Sequence, residues 1–424
     1  MKQIVFFIFL IPFFLISQRD VTDKIEAFDK TNDIDTKMEL LYEFAPSLTG
    51  IYDDSVLYFV RDLKDAGIKN GRQDAIVLCN YYIARHLITY SFYSQAEEKL
   101  SSVIEYYDQV ENDTMLSLSH NLLGNLHFSR GNMSNAEQAY EKALQYAISS
   151  GGRKAVQVIP LINLARIAIV NDEFDVAENL LREYIRFHHT TEGSISALAS
   201  GYALLGNLYL DQGDYDNASD NFIRSMEYGL TVGVKTTVAN AYTNLGITEF
   251  FAENFKRSKE YFKLALEVRI DHGNPLFIAE AYYNLGDYFH GIEKIDSALV
   301  NYQKSVEVSE EAGVLRIKKD ALEQIAVIYE NGGMDKEQIA VLKEIIDVQN
   351  QIHAQKREED NRIMNFNYEQ SMIEYEGMKK LREENLEGKV STYQSIFNNW
   401  LIISIAGLLL LIIIYYFKRR KSIQ

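Results

Sequence analysis

At 424 residues the chain exceeds one ordinary globular domain, so several cores or a repeat array are expected. Four prolines and 23 glycines, beside 28 tyrosines, suit long helices better than short strands joined by tight turns. A formal charge of −17 makes nucleic acid a poor partner, since phosphate binding needs basic neutralisation, and the single cysteine, Cys79, excludes an intramolecular disulfide and reads as a small buried hydrophobe.

In chain order, Ile4 to Ile16 form an apolar run behind Lys2. It is shorter than the ~20 residues a bilayer-spanning helix needs and suits a signal peptide. Residues 1–17 are read as that signal, cleaved near Ser17 or, because Leu15 and Ser17 make a mediocre cleavage site, kept as an anchor. Residues 18–73 follow as a helical cap. In them "TKMELLYEFAPSL" and "DDSVLYFVRDLKDAG" look like an eroded helix pair, with Phe44, Val56, Val60 and Leu63 at core positions.

From 74 to 348 the chain repeats itself. A small residue recurs at Ala84, Gly124, Ala165, Gly206, Gly246, Gly286 and Ala326, in steps of 40 or 41. Twelve residues after each comes Ala96, Ala136, Ala177, Ala218, Ser258, Ala298 and Gln338; sixteen after comes Leu100, Tyr140, Leu181, Phe222, Phe262, Tyr302 and Leu342. Two antiparallel helices explain this pattern: small residues let them approach, and the larger one fills the space toward the next pair. Gly131, Gly213 and Gly333 mark turns, with Ser134, Asp175, Asp216 and Asp296 expected to cap the second helices. One pair cannot bury its apolar face, but a stack can.

The pattern resembles the tetratricopeptide repeat, whose first helix carries Trp, Leu-Gly and Tyr and whose second carries Ala, Phe and Ala. Here Tyr202, Tyr242 and Tyr282 stand at the tryptophan place, Leu205–Gly206, Leu245–Gly246 and Leu285–Gly286 match Leu-Gly, and Tyr209 or Phe289 takes the tyrosine place. The period of 40 departs from the family's 34, so each helix should be longer by about half a turn to a turn. The family's late proline is missing, although Pro275 falls in a connection and Pro160 inside or at the start of a first helix. The resemblance implies an all-α fold: a right-handed solenoid of about seven helical hairpins.

Residues 349–399 lack proline and are highly charged, as in a long exposed helix. Ile363, Phe366 and Ile373 are irregularly spaced, but the stripe Leu386, Val390, Tyr393, Phe397 and Trp400 predicts a stalk through which two copies could pair as a coiled coil. Residues 400–417, "WLIISIAGLLLLIIIYYF", read as a transmembrane helix, and the basic tail 418–424 places the C-terminus in the cytoplasm. The repeats are then exported, on the periplasmic side of the inner membrane if the source is bacterial.

His188 and His189 are adjacent and point about 100° apart on a helix, which makes them poor joint ligands and suggests an exposed helix end. There is no phosphate loop, nucleophile elbow or CxxC pair. The chain is read as no enzyme, with no cofactor and no metal.

The resemblance implies a working surface instead. In that family the first helices line a concave groove for peptides or partner helices. The corresponding positions here include Asn121, Asn125, Phe128, Arg166, Asn207, Leu210, Asp211, Asn240, Thr243, Phe250, Phe251, Tyr283, Asp287 and His290. Members that clamp a terminal carboxylate need lysine and arginine beside asparagine, and this groove has almost none, so a partner of basic and apolar character is favoured. Phe250, Tyr283 and His290 are expected to share one exposed aromatic cluster. Two functions fit: a membrane-anchored scaffold binding a protein or peptide, or the input half of a signalling system. The layout resembles bacterial membrane sensors, yet Lys418 to Gln424 can hold no output domain, so signalling would need a separate partner.

Overall fold

The computed structural model describes residues 18–45, 53–150, 155–190 and 195–366, with Tyr368 and Met372. The expected signal peptide, most of the stalk including the stripe from Leu386, the span 400–417 and the basic tail lie outside the described residues. Among the described residues no helix is long and apolar enough to cross a membrane.

Every long described element is a helix. Three precede the repeats: α1 (Gln18–Lys30), α2 (Ile34–Phe44) and α3 (Asp53–Lys69). Seven antiparallel pairs follow: α4 (Gln73–Thr89) with α5 (Tyr93–Gln109), α6 (Asp113–Ser129) with α7 (Met133–Ser149), α8 (Ala155–Val170) with α9 (Phe174–Thr190), and α10 (Ile195–Asp211) with α11 (Tyr215–Val232). The last three are α12 (Lys235–Phe251) with α13 (Phe255–His272), α14 (Pro275–Gly291) with α15 (Ile295–Glu311), and α16 (Leu315–Asn331) with α17, residues 335–366. Helices of 17 and 18 residues, as in α12 and α13, joined by two or three residues, account for the 40-residue period.

The packing rule within a pair is a notch. A Cβ added to Gly286 would lie 2.5 Å from the ring of Tyr302, one on Gly206 2.7 Å from Phe222, and one on Gly246 3.1 Å from Phe262, while Gly124 lies against Tyr140. Wherever the second helix offers a ring, the first offers glycine. Where it offers leucine (Leu100, Leu181, Leu342) the first has alanine (Ala84, Ala165, Ala326). The glycine pairs are the closer ones: without a Cβ in the notch the two backbones approach more tightly over a ring than they do in the alanine–leucine pairs α4–α5 and α8–α9. Ala96, Ala136, Ala177, Ala218, Ser258 and Ala298 are fully buried on the opposite side of that seam, and the Ser258 hydroxyl donates to the Gly246 carbonyl at 2.8 Å.

The turn between the helices of a pair places one residue in the left-handed region, seven after the notch. Gly131, Gly213 and Gly333 hold it in three pairs, and Ser91, Asp172, Glu253 and Glu293 in the others. The next residue opens the second helix; Asn132 and Asp214 cap it, accepting from Asn135 and Asn217 backbone N–H groups at 3.4 and 3.1 Å, whereas Phe92, Asn254 and Lys294 make no side-chain capping bond. The expected caps Ser134, Asp175, Asp216 and Asp296 fall two residues later, inside the first turn. The left-handed residue reverses the chain so tightly that the helix begins at once; the aspartates face the positive helix end without capping it. Pro160 lies inside α8, and Pro275 opens α14 behind the cap Asn274.

Two further expectations change. His188 is buried against Tyr184, ring centroids 4.6 Å apart, rather than on an exposed end; only His189 is exposed. Ile363 and Phe366, expected on an exposed stalk, pack against the first core, which also holds Phe28, Phe44, Phe59 and Val60. The Arg61 guanidinium lies 5.5 Å from the Phe366 ring centre. Its early part serves as the last second helix, with Val348 buried against α15 and α16. Residues 353–358 are exposed, and its end returns to the N-terminal cap. At 1.5 Å per residue such a helix reaches about 48 Å, enough to link the two ends of the array. Cys79 is buried, as expected, with its Sγ 3.4 Å from the Val60 carbonyl oxygen.

Candidate functional site

First helices touch the first helices of the next repeat: α4 meets α6, α6 meets α8, and α10, α12, α14 and α16 form a second such series. They make the inner layer, and their outward-facing positions line its concave surface.

At the N-terminal end of that surface the side chains form a polar net. The Tyr140 hydroxyl, reaching past Gly124, donates to Asn125 Oδ1 at 2.9 Å, and Asn163 Nδ2 donates to Asn121 Oδ1 at 2.8 Å. Arg166, half-buried, lies 5.2 Å above the Phe128 ring, and burial lowers its pKa. Toward the other end Tyr302 repeats the geometry of Tyr140: its hydroxyl passes Gly286 and donates to Asp287 Oδ1 at 2.7 Å. Asp287 touches solvent, yet the surrounding repeats desolvate it and push its carboxyl up to about 6. Desolvation also raises Asp211, Glu280 and Asp320 above the usual carboxylate range. Tyr283 and His290 flank the Tyr302 ring at 5.6 and 6.5 Å.

The predicted residues therefore divide. Asn125, Phe128 and Arg166 come together, as do Tyr283, Asp287 and His290; Asn207 and Asp211 lie between the two groups along the array. Thr243 is buried and donates to the Ala239 carbonyl, and Asn240 accepts from the buried Arg269 at 3.2 Å, so it is held from behind. Phe250 does not join Tyr283 and His290. Its ring sits over Gly291, where an added Cβ would be 2.5 Å away, and packs beside Phe255 and Tyr288 at 5.5 and 6.2 Å. The neighbouring Phe251 is the exposed one, at 56%. Consecutive residues on a helix diverge, and the glycine at 291 gives the seam to Phe250. Asn163, Tyr140, Arg269 and Asp320 were missed. Tyr140 was legible from its equivalence with Tyr302, whereas Arg269 sits on a second helix outside the groove register.

Models of the tetratricopeptide repeat match residues 118–147, 197–271 and 237–311. No curated protein matches the chain. Among solved structures, the signal transduction ATPase with a tetratricopeptide repeat sensor from Pyrococcus horikoshii is similar with a TM-score of 0.53 and 11% identity, over 82% of this chain and 54% of that one. A Rap protein complexed with competence and sporulation factor gives 0.49 and 13%, over 76% and 99%, and BtubC from P. vanneervenii 0.45 and 19%, over 52% and 92%. At such identities the likeness is one of fold. With the recurring notch and turn, and with the family models that match them, residues 118–147 and 197–311 are tetratricopeptide repeats.

Proposed function

We propose that the protein is a membrane-anchored scaffold that binds a protein or peptide along the concave face of its first helices, on the exported side of the membrane. The observation that carries the binding is the row Arg166, Asp211, Asp287 and Asp320, charged groups set in a concave surface with no opposite charge within 4 Å among the described ion pairs. Charges left unneutralised there favour a partner that supplies the missing ones. Anchoring and export rest on the leader at 1–17 and the apolar segment 400–417. The test is selection of peptides from a random 12-residue display library on the full-length protein in detergent. Enriched peptides should lose binding to an Asn207→Trp variant of unchanged thermal stability, and equal binding would refute the groove. For topology, a reporter after Gln424 should be cytoplasmic and one near Gly151 should not; both on one side would refute export.

The return of α17 to the N-terminal cap supports the second reading, an input component acting through a separate output partner. Binding that opened the array would strain a helix whose continuation leads toward residues 400–417.

A further inference from the structure

Resting on the groove reading above, we propose that the concave face is charge-polarised and orients an extended peptide: an anionic end at Arg85 and Arg166, a cationic end at Asp287 and Asp320. The first three repeats contribute two arginines to the groove positions, Arg85 and Arg166, and no acidic residue. The next four contribute Asp211, Glu280, Asp287, Asp320, Glu323 and Glu330, and no lysine or arginine.

The structure sharpens this division. Glu280 is answered by the buried Arg269 at 3.4 Å and Glu323 by Lys319 at 3.2 Å. Asp287 has only the Tyr302 hydroxyl, a neutral donor, and Asp320 has no ion-pair partner among the described residues. Four carboxyls of this face are held above their usual range by desolvation; among the described residues only Asp65 joins them. Asp287 is open to solvent and neither it nor Asp320 has an ion-pair partner within 4 Å among the described residues, so an ammonium or guanidinium can reach both, and the rings of Tyr283 and Tyr302 beside Asp287 suit either cation. At the other end Arg166 is half-buried over Phe128 with asparagine amides for company and no carboxylate, an arrangement that a peptide carboxylate completes. Three repeats separate Arg166 from Asp287. With packed neighbouring helices 8–10 Å apart, and α8 and α10 less closely packed than that, the charges lie at least roughly 30 Å from one another. An extended peptide crosses that distance in about nine residues.

The 12-residue selection reads the polarity directly. Enriched sequences should carry acidic and basic residues at opposite ends, in one constant order. For a synthetic peptide of that consensus, Asp287→Asn with Asp320→Lys should weaken binding at least tenfold, and a peptide whose basic end is changed to glutamate should recover it. Arg166→Glu should do the same for the acidic end, rescued by lysine there. Rescue by charge exchange is a readout that misfolding cannot imitate. Enriched peptides without separated charges, or failure of both rescues, would overturn the polarity while leaving the groove standing. No enrichment at all would overturn the groove reading and this proposal with it.

Discussion

Substituting Gly286 by alanine tests the notch at one of its tight points. The new methyl would lie 2.5 Å from two carbons of the Tyr302 ring and 2.9 Å from a third. Tyr302 is fully buried, its hydroxyl is held by Asp287 and its ring is flanked by Tyr283, so it cannot retreat without breaking a hydrogen bond. Overpacking of this kind costs about 1–3 kcal/mol, and the gain of about 1 kcal/mol from replacing glycine in a helix offsets only part of it. Tyr302→Leu alone removes the ring and the hydrogen bond, a loss of about 2–3 kcal/mol. The double variant recreates the Ala84–Leu100 pair used elsewhere in the chain, so its loss should fall below the sum of the single losses by about 2 kcal/mol. Because a repeat array need not unfold in one step, hydrogen exchange in α14 and α15 is the assay, supported by thermal unfolding. Additivity of the two losses within about 0.5 kcal/mol would refute the notch. Gly246→Ala, with 3.1 Å to Phe262, is the internal control and should be nearly neutral.

Replacing Glu253 or Glu293 by glycine relieves a left-handed backbone at φ 61° or 58° and should stabilise each turn by about 1 kcal/mol, seen as slower exchange at the start of α13 or α15. Asp287 is raised from 3.8 to about 6 in the folded protein, so its contribution is full below pH 3.8 and is lost as pH rises through 6. Asp287→Asn, a copy of the Tyr140–Asn125 pair, should therefore raise the melting temperature at pH 7.5 and flatten its change between pH 5 and 7; an unchanged profile would refute the assignment. Ile363→Asp with Phe366→Ala should detach the end of α17, raising the radius of gyration by X-ray scattering and the exchange of α1–α3 while sparing α10–α15. Unchanged scattering and exchange would reject the return contact.

The repeats were legible because seven copies of one unit let each eroded position be read against the others: Ser258 at an alanine place and Gln338 at the degenerate end both fell into register. Glycine paired with rings and alanine with leucine was equally available, since the two series stand sixteen residues apart. Phe250 and Phe251 show where the reading ran out. Helical geometry says that they diverge but not which one meets solvent; that depended on Gly291, forty residues on, leaving room for a ring. The same holds for Ile363 and Phe366. An apolar pair on a charged helix announces that something covers it, and nothing local says whether the cover is a second copy or the chain's own beginning. The cap positions failed for a smaller reason: the residue directly after the left-handed one already opens the second helix, so the expected caps fall two residues inside it whether the left-handed residue is glycine or not.

That return contact changes how the array should deform. In an open solenoid each repeat touches only its neighbours, so curvature is soft and a ligand in the groove alters it at little cost. Here α17 belongs to the last repeat and also lies against α3 through Arg61 and Phe366, which makes one contact between the ends of the array. Curvature is then no longer a sum of independent junctions. A partner spanning Arg166 to Asp287 and preferring a wider spacing of first helices must stretch or release that contact, and one preferring the closed spacing strengthens it. By linkage the same free energy appears in both directions: breaking the contact shifts affinity for the partner by as much as the partner shifts the contact.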